Sequence, residues 1–115
     1  MIHGAGIDIV DTVRFKRALE RWGDRIKERL FTEGELEYCL RQRHPERHLA
    51  ARFAAKESVL KALGRPIPLK TIEIIRGPGG RPSVRISGLK EDLRFFLTLS
   101  HDANLTVAAA VIERF

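Results

Sequence analysis

Near the end of the chain, residues 106–112 read TVAAAVI, apolar at every position after the threonine. Successive side chains of a strand point to opposite faces, so this segment has no polar face to offer water. It has to lie in the middle of a sheet or be covered on both sides. Residues 96–101 alternate in the same region and form a second strand. The Asp102–Ala103–Asn104 turn joins the two. Two further strand signals stand at residues 71–76 and 83–87, around a turn at Gly77–Pro82. At the other end, residues 2–10 alternate as a strand, with Ile7 and Ile9 on one face and Gly4, Gly6 and Asp8 on the other.

Helical signals fill residues 11–64. Asp11 or Thr12 caps a helix running to about Trp22, and a second piece follows from Asp24 to Leu30. Thr32 caps a third, with Glu35 three residues on as a capping box, and that helix runs to about Arg43. The longest runs from near Pro45 to Gly64, a C-terminal breaker. Residues 88–94 are expected to add one or two helical turns. The order, one strand, then helices, then four strands, predicts an α+β fold. A mainly antiparallel sheet packs on a long central helix with shorter helices beside it. The length of 115 residues suggests a single domain, 1–115.

The single cysteine, Cys39, excludes an intrachain disulfide and is compatible with a reducing compartment. The start, MIHGAGIDIVD, lacks the basic and long apolar regions of a signal peptide. No segment reaches the roughly 18–20 apolar residues of a membrane span. The expected location is cytoplasmic. A net charge of +6 favours an anionic partner: nucleic acid, a phosphate-rich small molecule or an acidic protein.

Four groups of residues carry possible chemistry. On a helical wheel of residues 49–64, Leu49, Phe53, Leu60 and Leu63 make an apolar stripe. Glu57 borders it, with Lys61 one turn further on the same edge. As a surface pair these two would contribute only a few tenths of a kcal/mol; beside a buried stripe they are candidates for a site. Lys56 points into the apolar sector, where either its stem is buried with the tip escaping, or its tip meets a phosphate. In the second group, GIDIVD, Asp8 is an acid inside an apolar strand. It faces water, pairs with an arginine, or binds a hard cation such as Mg²⁺. In the third, SHDAN, His101 continues the face of Leu97 and Leu99 at a strand end. It is either a turn residue or a phosphate contact or proton shuttle. The fourth is a stripe of Arg14, Arg17, Arg21 and Arg25 at three- and four-residue spacing. It is a solvated face or an anion-binding one. No aromatics interleave with it, which weakens a nucleic-acid reading.

Together, GIDIVD, FTEGEL, RFAAKESVLKALG and LSHDANLTVAAAVI resemble the holo-[acyl-carrier-protein] synthases, the small 4′-phosphopantetheinyl transferases. The resemblance covers nearly the whole chain in the same order. It implies transfer of phosphopantetheine from coenzyme A to a serine of an acidic apo acyl carrier protein, for fatty-acid synthesis. Adenosine 3′,5′-bisphosphate would be released. It further implies that Asp8 and Glu57 hold Mg²⁺ and that Glu57 and Lys61 are catalytic. Arg52, Lys61, Gly64 and His101 would line the coenzyme A site, and Arg14, Arg17 and Arg21 would dock the carrier protein. The family assembles as a homotrimer with interfacial active sites. The proton acceptor is Glu57 or a water. One stretch departs from the pattern: KALGRPIPLK replaces a Thr-Gly turn and a longer loop, and Arg65 is a candidate phosphate contact there. Two other readings compete: a small basic nucleic-acid-binding domain and a non-catalytic carrier-protein-binding subunit. The transferase reading involves neither nucleic acid nor membrane.

Overall fold

A computed structural model describes residues Met1–Phe115. Its elements are β1 (Ile2–Asp11), α1 (Thr12–Leu30), α2 (Glu33–Leu40), α3 (Pro45–Leu63), β2 (Ile72–Arg76), β3 (Pro82–Ile86), β4 (Leu93–Asp102) and β5 (Leu105–Arg114). The strands form two antiparallel sheets, one of order β1-β5-β4 and a hairpin of β2 with β3. The strand without a polar face is the central one, the first of the two arrangements its composition allows.

Local chemistry sets the helix ends. Asp11 Oδ1 accepts from the backbone N–H groups of Val13 (3.0 Å) and Arg14 (3.1 Å), opening α1. Within α1, Gly23 has φ 67° and ψ −155°, a region open essentially to glycine alone. It breaks the helix into the two pieces, ending at Trp22 and starting at Asp24, that the sequence suggests. Thr32 and Glu35 form the expected capping box. Pro45 opens α3, and Gly64 closes it in the left-handed conformation with φ 79°.

Two boundaries differ from expectation. α2 stops at Leu40 rather than near Arg43. Residues 88–94 are not helical: Gly88 takes φ 77° in a turn and β4 begins at Leu93. The physical reason is alternation. Leu93, Phe95, Leu97 and Leu99 all turn toward the core, so pairing with β5 extends to residues a helix would have claimed.

α3 lies on one face of the three-stranded sheet. Its Leu49, Ala50, Ala54, Ala55, Val59, Ala62 and Leu63 are buried with Ala108, Ala110 and Ile112 of β5, and with Phe15, Phe31, Ile72 and Ile74. β1 comes closest. A Cβ added to Gly6 would collide with the Ser58 carbonyl oxygen and lie 2.8 Å from the Ala62 nitrogen; one added to Gly4 would collide with the Ala62 oxygen. The glycines let strand and helix backbones touch, which brings Asp8 against α3. The opposite sheet face is uncovered. Ile7 (63% exposed), Ile9 (60%) and Phe96 (50%) stand on it with Val107, Ala109 and Val111.

The structure corrects both readings of Lys56. Its side chain is wholly buried, so neither does its tip escape nor can it reach a phosphate. Nζ donates to the carbonyl oxygen of Leu30 at the end of α1 and to Glu35 Oε1, both at 2.6 Å, and lies 5.4 Å from the Phe31 ring centroid. Both Glu35 oxygens are engaged: Oε1 also accepts from Thr32 N–H (2.9 Å), and Oε2 from Ile74 N–H (2.8 Å). Burial pushes the Lys56 ammonium down from its ordinary range, and the Glu35 hydrogen bond and charge oppose this. The pair fastens α1, α2, α3 and β2 at one point, one residue before Glu57.

Candidate active site

The first half of the site lies where α3 crosses β1. Asp8 faces α3 from an edge strand, and its side chain is only 17% exposed. Lys61 Nζ donates to Asp8 Oδ1 (3.2 Å) and to the carbonyl oxygen of Ile7 (2.9 Å). Glu57 sits one helical turn earlier, half-buried. The surface pair of Glu57 with Lys61 that the spacing permits is not made; Lys61 is engaged on Asp8 instead. Partial burial pushes the Glu57 carboxyl up, the Asp8 carboxylate pushes it further the same way, and Lys61 opposes both. Two carboxylates thus share one field with one ammonium between strand and helix.

This donor set fits Mg²⁺. No group of three or more His, Cys, Asp or Glu side chains converges anywhere in the chain, so no all-protein cage for a transition metal exists. Two hard oxygen donors beside a cation suit an ion that completes its shell with water and substrate phosphate.

The second half lies on the other flank of α3, toward β4. His101 is exposed and lines a cavity of about 370 Å³ with Arg47, His48, Ala51, Ser100 and Asn104. Arg52 lines an adjoining cavity of about 200 Å³ with Tyr38, Arg76, Gly80 and Pro82. The two share His48, Ala51 and Leu99. The Arg52 guanidinium stacks on the Tyr38 ring, 4.4 Å from its centroid. Its Nε is buried and makes no hydrogen bond.

One chain does not bring these halves together. Asp8 pairs across the sheet with Ala108 and His101 with Thr106, with β5 between them. Strand spacing puts their Cα atoms about 12 Å apart, and α3 packs on the face between. Glu57 follows Arg52 by five residues, which turns the two side chains to different sides of the helix.

The remaining predicted residues fall elsewhere. Gly64 is exposed at the end of α3. Arg65 forms an exposed ion pair, its Nη2 donating to Glu91 Oε1 at 2.6 Å. Arg14, Arg17 and Arg21 line one shallow depression on α1 with Ala18 and Trp22. None of the three forms an ion pair within the chain. Trp22, 61% exposed, carries the Arg21 guanidinium 5.4 Å from its ring centroid, so one aromatic does stand beside the stripe. The sequence reading missed Tyr38, His48 and Arg76. Of these only His48 had a local signal, one turn before Arg52 on the same helix.

A basic α+β chain with paired carboxylates at a strand–helix crossing has the makings of a phosphate-handling transferase. Residues 4–111 match the model of the 4′-phosphopantetheinyl transferase superfamily, and the chain belongs to that family. More particularly, it is similar over its full length to proteins named holo-[acyl-carrier-protein] synthase. That of Geobacter sp. (strain M21) is 42% identical over 99% of this chain and 100% of its own length. That of Thermodesulfovibrio yellowstonii is 42% identical over 97% of this chain and 99% of its own. Among crystal structures, the fold matches the holo-[acyl-carrier-protein] synthase of Neisseria meningitidis with a TM-score of 0.90. That pair is 29% identical over 99% of this chain and 100% of the other. It matches the Bacillus anthracis synthase in complex with CoA (3′,5′-ADP) with a TM-score of 0.87. There identity is 30%, over 100% of this chain and 99% of the other.

Proposed function

We propose that the two flanks of α3 serve one reaction: transfer of 4′-phosphopantetheine from coenzyme A to a serine of apo acyl carrier protein, in fatty-acid synthesis. The activity and its two partners follow from family membership and full-length likeness to holo-[acyl-carrier-protein] synthases. The observation that carries the residue assignment is the Asp8–Lys61–Glu57 group, a place for a divalent cation and a pyrophosphate side by side.

Asp8 and Glu57 would hold Mg²⁺, which supplies charge neutralisation at the pyrophosphate when bound. Lys61 turns from Asp8 to a phosphate oxygen and stabilises charge that develops there. The carrier serine oxygen attacks the phosphorus bearing pantetheine. The bond from that phosphorus to the bridging oxygen breaks, and adenosine 3′,5′-bisphosphate leaves with the electron pair. The serine proton passes to Glu57 or to a water beside it. Arg52, Gly64 and His101 line the rest of the coenzyme A path. The unpaired Arg14, Arg17 and Arg21 give an acidic carrier protein its docking face, with α1 leading directly out of β1 beyond Asp8.

The working unit is a homotrimer with sites at its interfaces. Two observations support this. The two half-sites lie on opposite edges of the sheet, so a second copy of the chain can join them. The uncovered face bearing Ile7, Ile9 and Phe96 leaves β5 covered on one side only. Each chain is one domain, residues 1–115. It works in the cytoplasm, to which the buried, unpaired Cys39 is suited. No helix is long and apolar enough to cross a membrane.

Subunit mixing tests the shared site. Glu57→Gln and His101→Ala chains, each inactive alone, should regain a fraction of wild-type transfer after unfolding and refolding together. Recovery requires an interface at which one chain supplies Glu57 and its neighbour His101. Two inactive variants that stay inactive in every mixture, while forming mixed oligomers, would contradict an interfacial site.

A further inference from the structure

At its first residues β1 departs from the pairing that the rest of the strand keeps. Ile2 stands opposite Glu113 and Gly4 opposite Ile112, so His3 is one residue too many against β5. A bulge of this kind re-aims the side chain it carries. Ala5, Ile7 and Ile9 are exposed on the outer face, yet His3, which simple alternation would place with them, is half-buried and turned to the end of α3. Its Nε2 lies 3.1 Å from the carbonyl oxygen of Leu63, the last residue of that helix. Its Nδ1 lies 3.0 Å from Arg114 Nη2 on β5. These two partners fix the tautomer. A carbonyl oxygen only accepts and a guanidinium only donates, so Nε2 carries the proton and donates, while Nδ1 accepts. The backbone of Arg114 is held in turn, its N–H donating to the Met1 carbonyl oxygen at 2.8 Å.

The last four carbonyls of a helix have no N–H partner within it. In α3 they belong to Leu60, Lys61, Ala62 and Leu63. Gly64 N–H takes the Leu60 oxygen at 3.1 Å, and His3 takes that of Leu63. Lys61 lies between these two bonds. The bulged strand also presses on the same turn. A Cβ added to Gly6 would lie 2.9 Å from Lys61 Cβ, and one added to Gly4 would collide with the Ala62 oxygen. The glycines hold the turn by contact alone, and His3 ties its backbone by a hydrogen bond.

We propose that His3 is a positioning residue for Lys61. Braced on Arg114, it clasps the final turn of α3 so that the Lys61 ammonium stays beside Asp8, where it meets a pyrophosphate oxygen. This rests on the role given to Lys61 above and deepens it. The Lys61 side chain is 53% exposed, so packing does little to hold it, and its reach is set by where its backbone stands. Stabilising charge that develops in the transition state depends on that placement, and a displacement of about 1 Å can cost on the order of 10²-fold.

The test is steady-state transfer to apo carrier protein at saturating coenzyme A and Mg²⁺, well below the melting temperature of each variant. His3→Leu keeps the bulk and loses both hydrogen bonds. It should lower kcat about tenfold and leave the KM for carrier protein within about twofold. His3→Gln, whose amide can donate to Leu63 or accept from Arg114, should recover most of kcat. Arg114→Met, at an exposed position, releases the ring from one side and should give a smaller loss of the same kind; it decides the matter should His3→Leu fold poorly. A histidine with a structural role alone would shift the melting temperature without this pattern. Turnover within about twofold of wild type in both His3→Leu and Arg114→Met would overturn the proposal. So would equal losses in His3→Gln and His3→Leu, or a loss confined to KM. Lys61→Met, measured alongside, separates the two readings. If it is impaired while His3→Leu is normal, only the clasp is wrong; if Lys61→Met itself turns over normally, the role given to Lys61 is wrong.

Discussion

Glu57→Gln and Asp8→Asn should each reduce phosphopantetheine transfer by on the order of 10²–10³-fold or more, at saturating coenzyme A and Mg²⁺. On the proposed assignment Asp8 and Glu57 are the two carboxylates that would hold the cation, so losing either would halve the charge that holds it. Glu57→Gln should also raise the melting temperature of the metal-free protein at neutral pH. The sign follows from the raised pKa of Glu57. Where the folded-state value lies above the unfolded one, the ionised carboxylate is a cost to the fold. That cost is absent below the unfolded pKa, grows as pH rises between the two values, and is full above the folded one. The stabilisation of the variant should therefore shrink as pH falls into the ordinary carboxylate range. Near-normal turnover in either variant would remove that residue from the metal site. A melting temperature lowered by Glu57→Gln at neutral pH would mean that the charge stabilises the apo fold.

Lys56→Met should be far more damaging to the fold than its place beside Glu57 suggests. The wild-type ammonium and the Glu35 carboxylate are both fully buried at 2.6 Å, and Met leaves the carboxylate without its counter-charge. Breaking such a pair costs about 3–5 kcal/mol. For a domain of this size that is a drop in melting temperature of about 10–20 °C. The Leu30 carbonyl at the end of α1 loses its donor as well. Adding Glu35→Gln to Lys56→Met should recover part of the loss, because no buried charge then remains. Recovery should be incomplete. One amide oxygen cannot accept from both Thr32 and Ile74 as the two carboxylate oxygens do. A Lys56→Met protein melting within a few degrees of wild type would contradict this account of the pair.

Glu57 and Lys56 mark what the sequence did and did not reveal. Elements governed by neighbours were legible. Asp11, the Thr32–Glu35 box, the Gly23 break and Gly64 each act within a few residues, and all appear where expected. The central place of β5 was one of the two arrangements that its lack of a polar face allowed. What depends on distant parts of the chain was less so. The helical wheel put Lys56 in the apolar sector correctly, but its partner lies 21 residues away on another helix. Glu35 looked like a cap alone, because one of its oxygens serves the cap and the other serves β2. The turn at 88–92 was misjudged because the pull of β5 on Leu93 and Phe95 is invisible locally. For the site, patterning flagged Asp8, Glu57 and Lys61 as odd charges near apolar surfaces, and the motif resemblance supplied their roles. Tyr38 had no signal, since Arg52 and Arg76, which meet its ring and its hydroxyl, come from α3 and β2.

The most direct test of the central claim is the intact mass of an apo acyl carrier protein after incubation with this chain, coenzyme A and Mg²⁺. The account predicts one added phosphopantetheine per carrier protein, placed on its acceptor serine. It predicts none when Mg²⁺ is chelated or that serine is replaced by alanine. A carrier protein whose mass stays unchanged, under conditions in which a known synthase modifies it fully, would contradict the account.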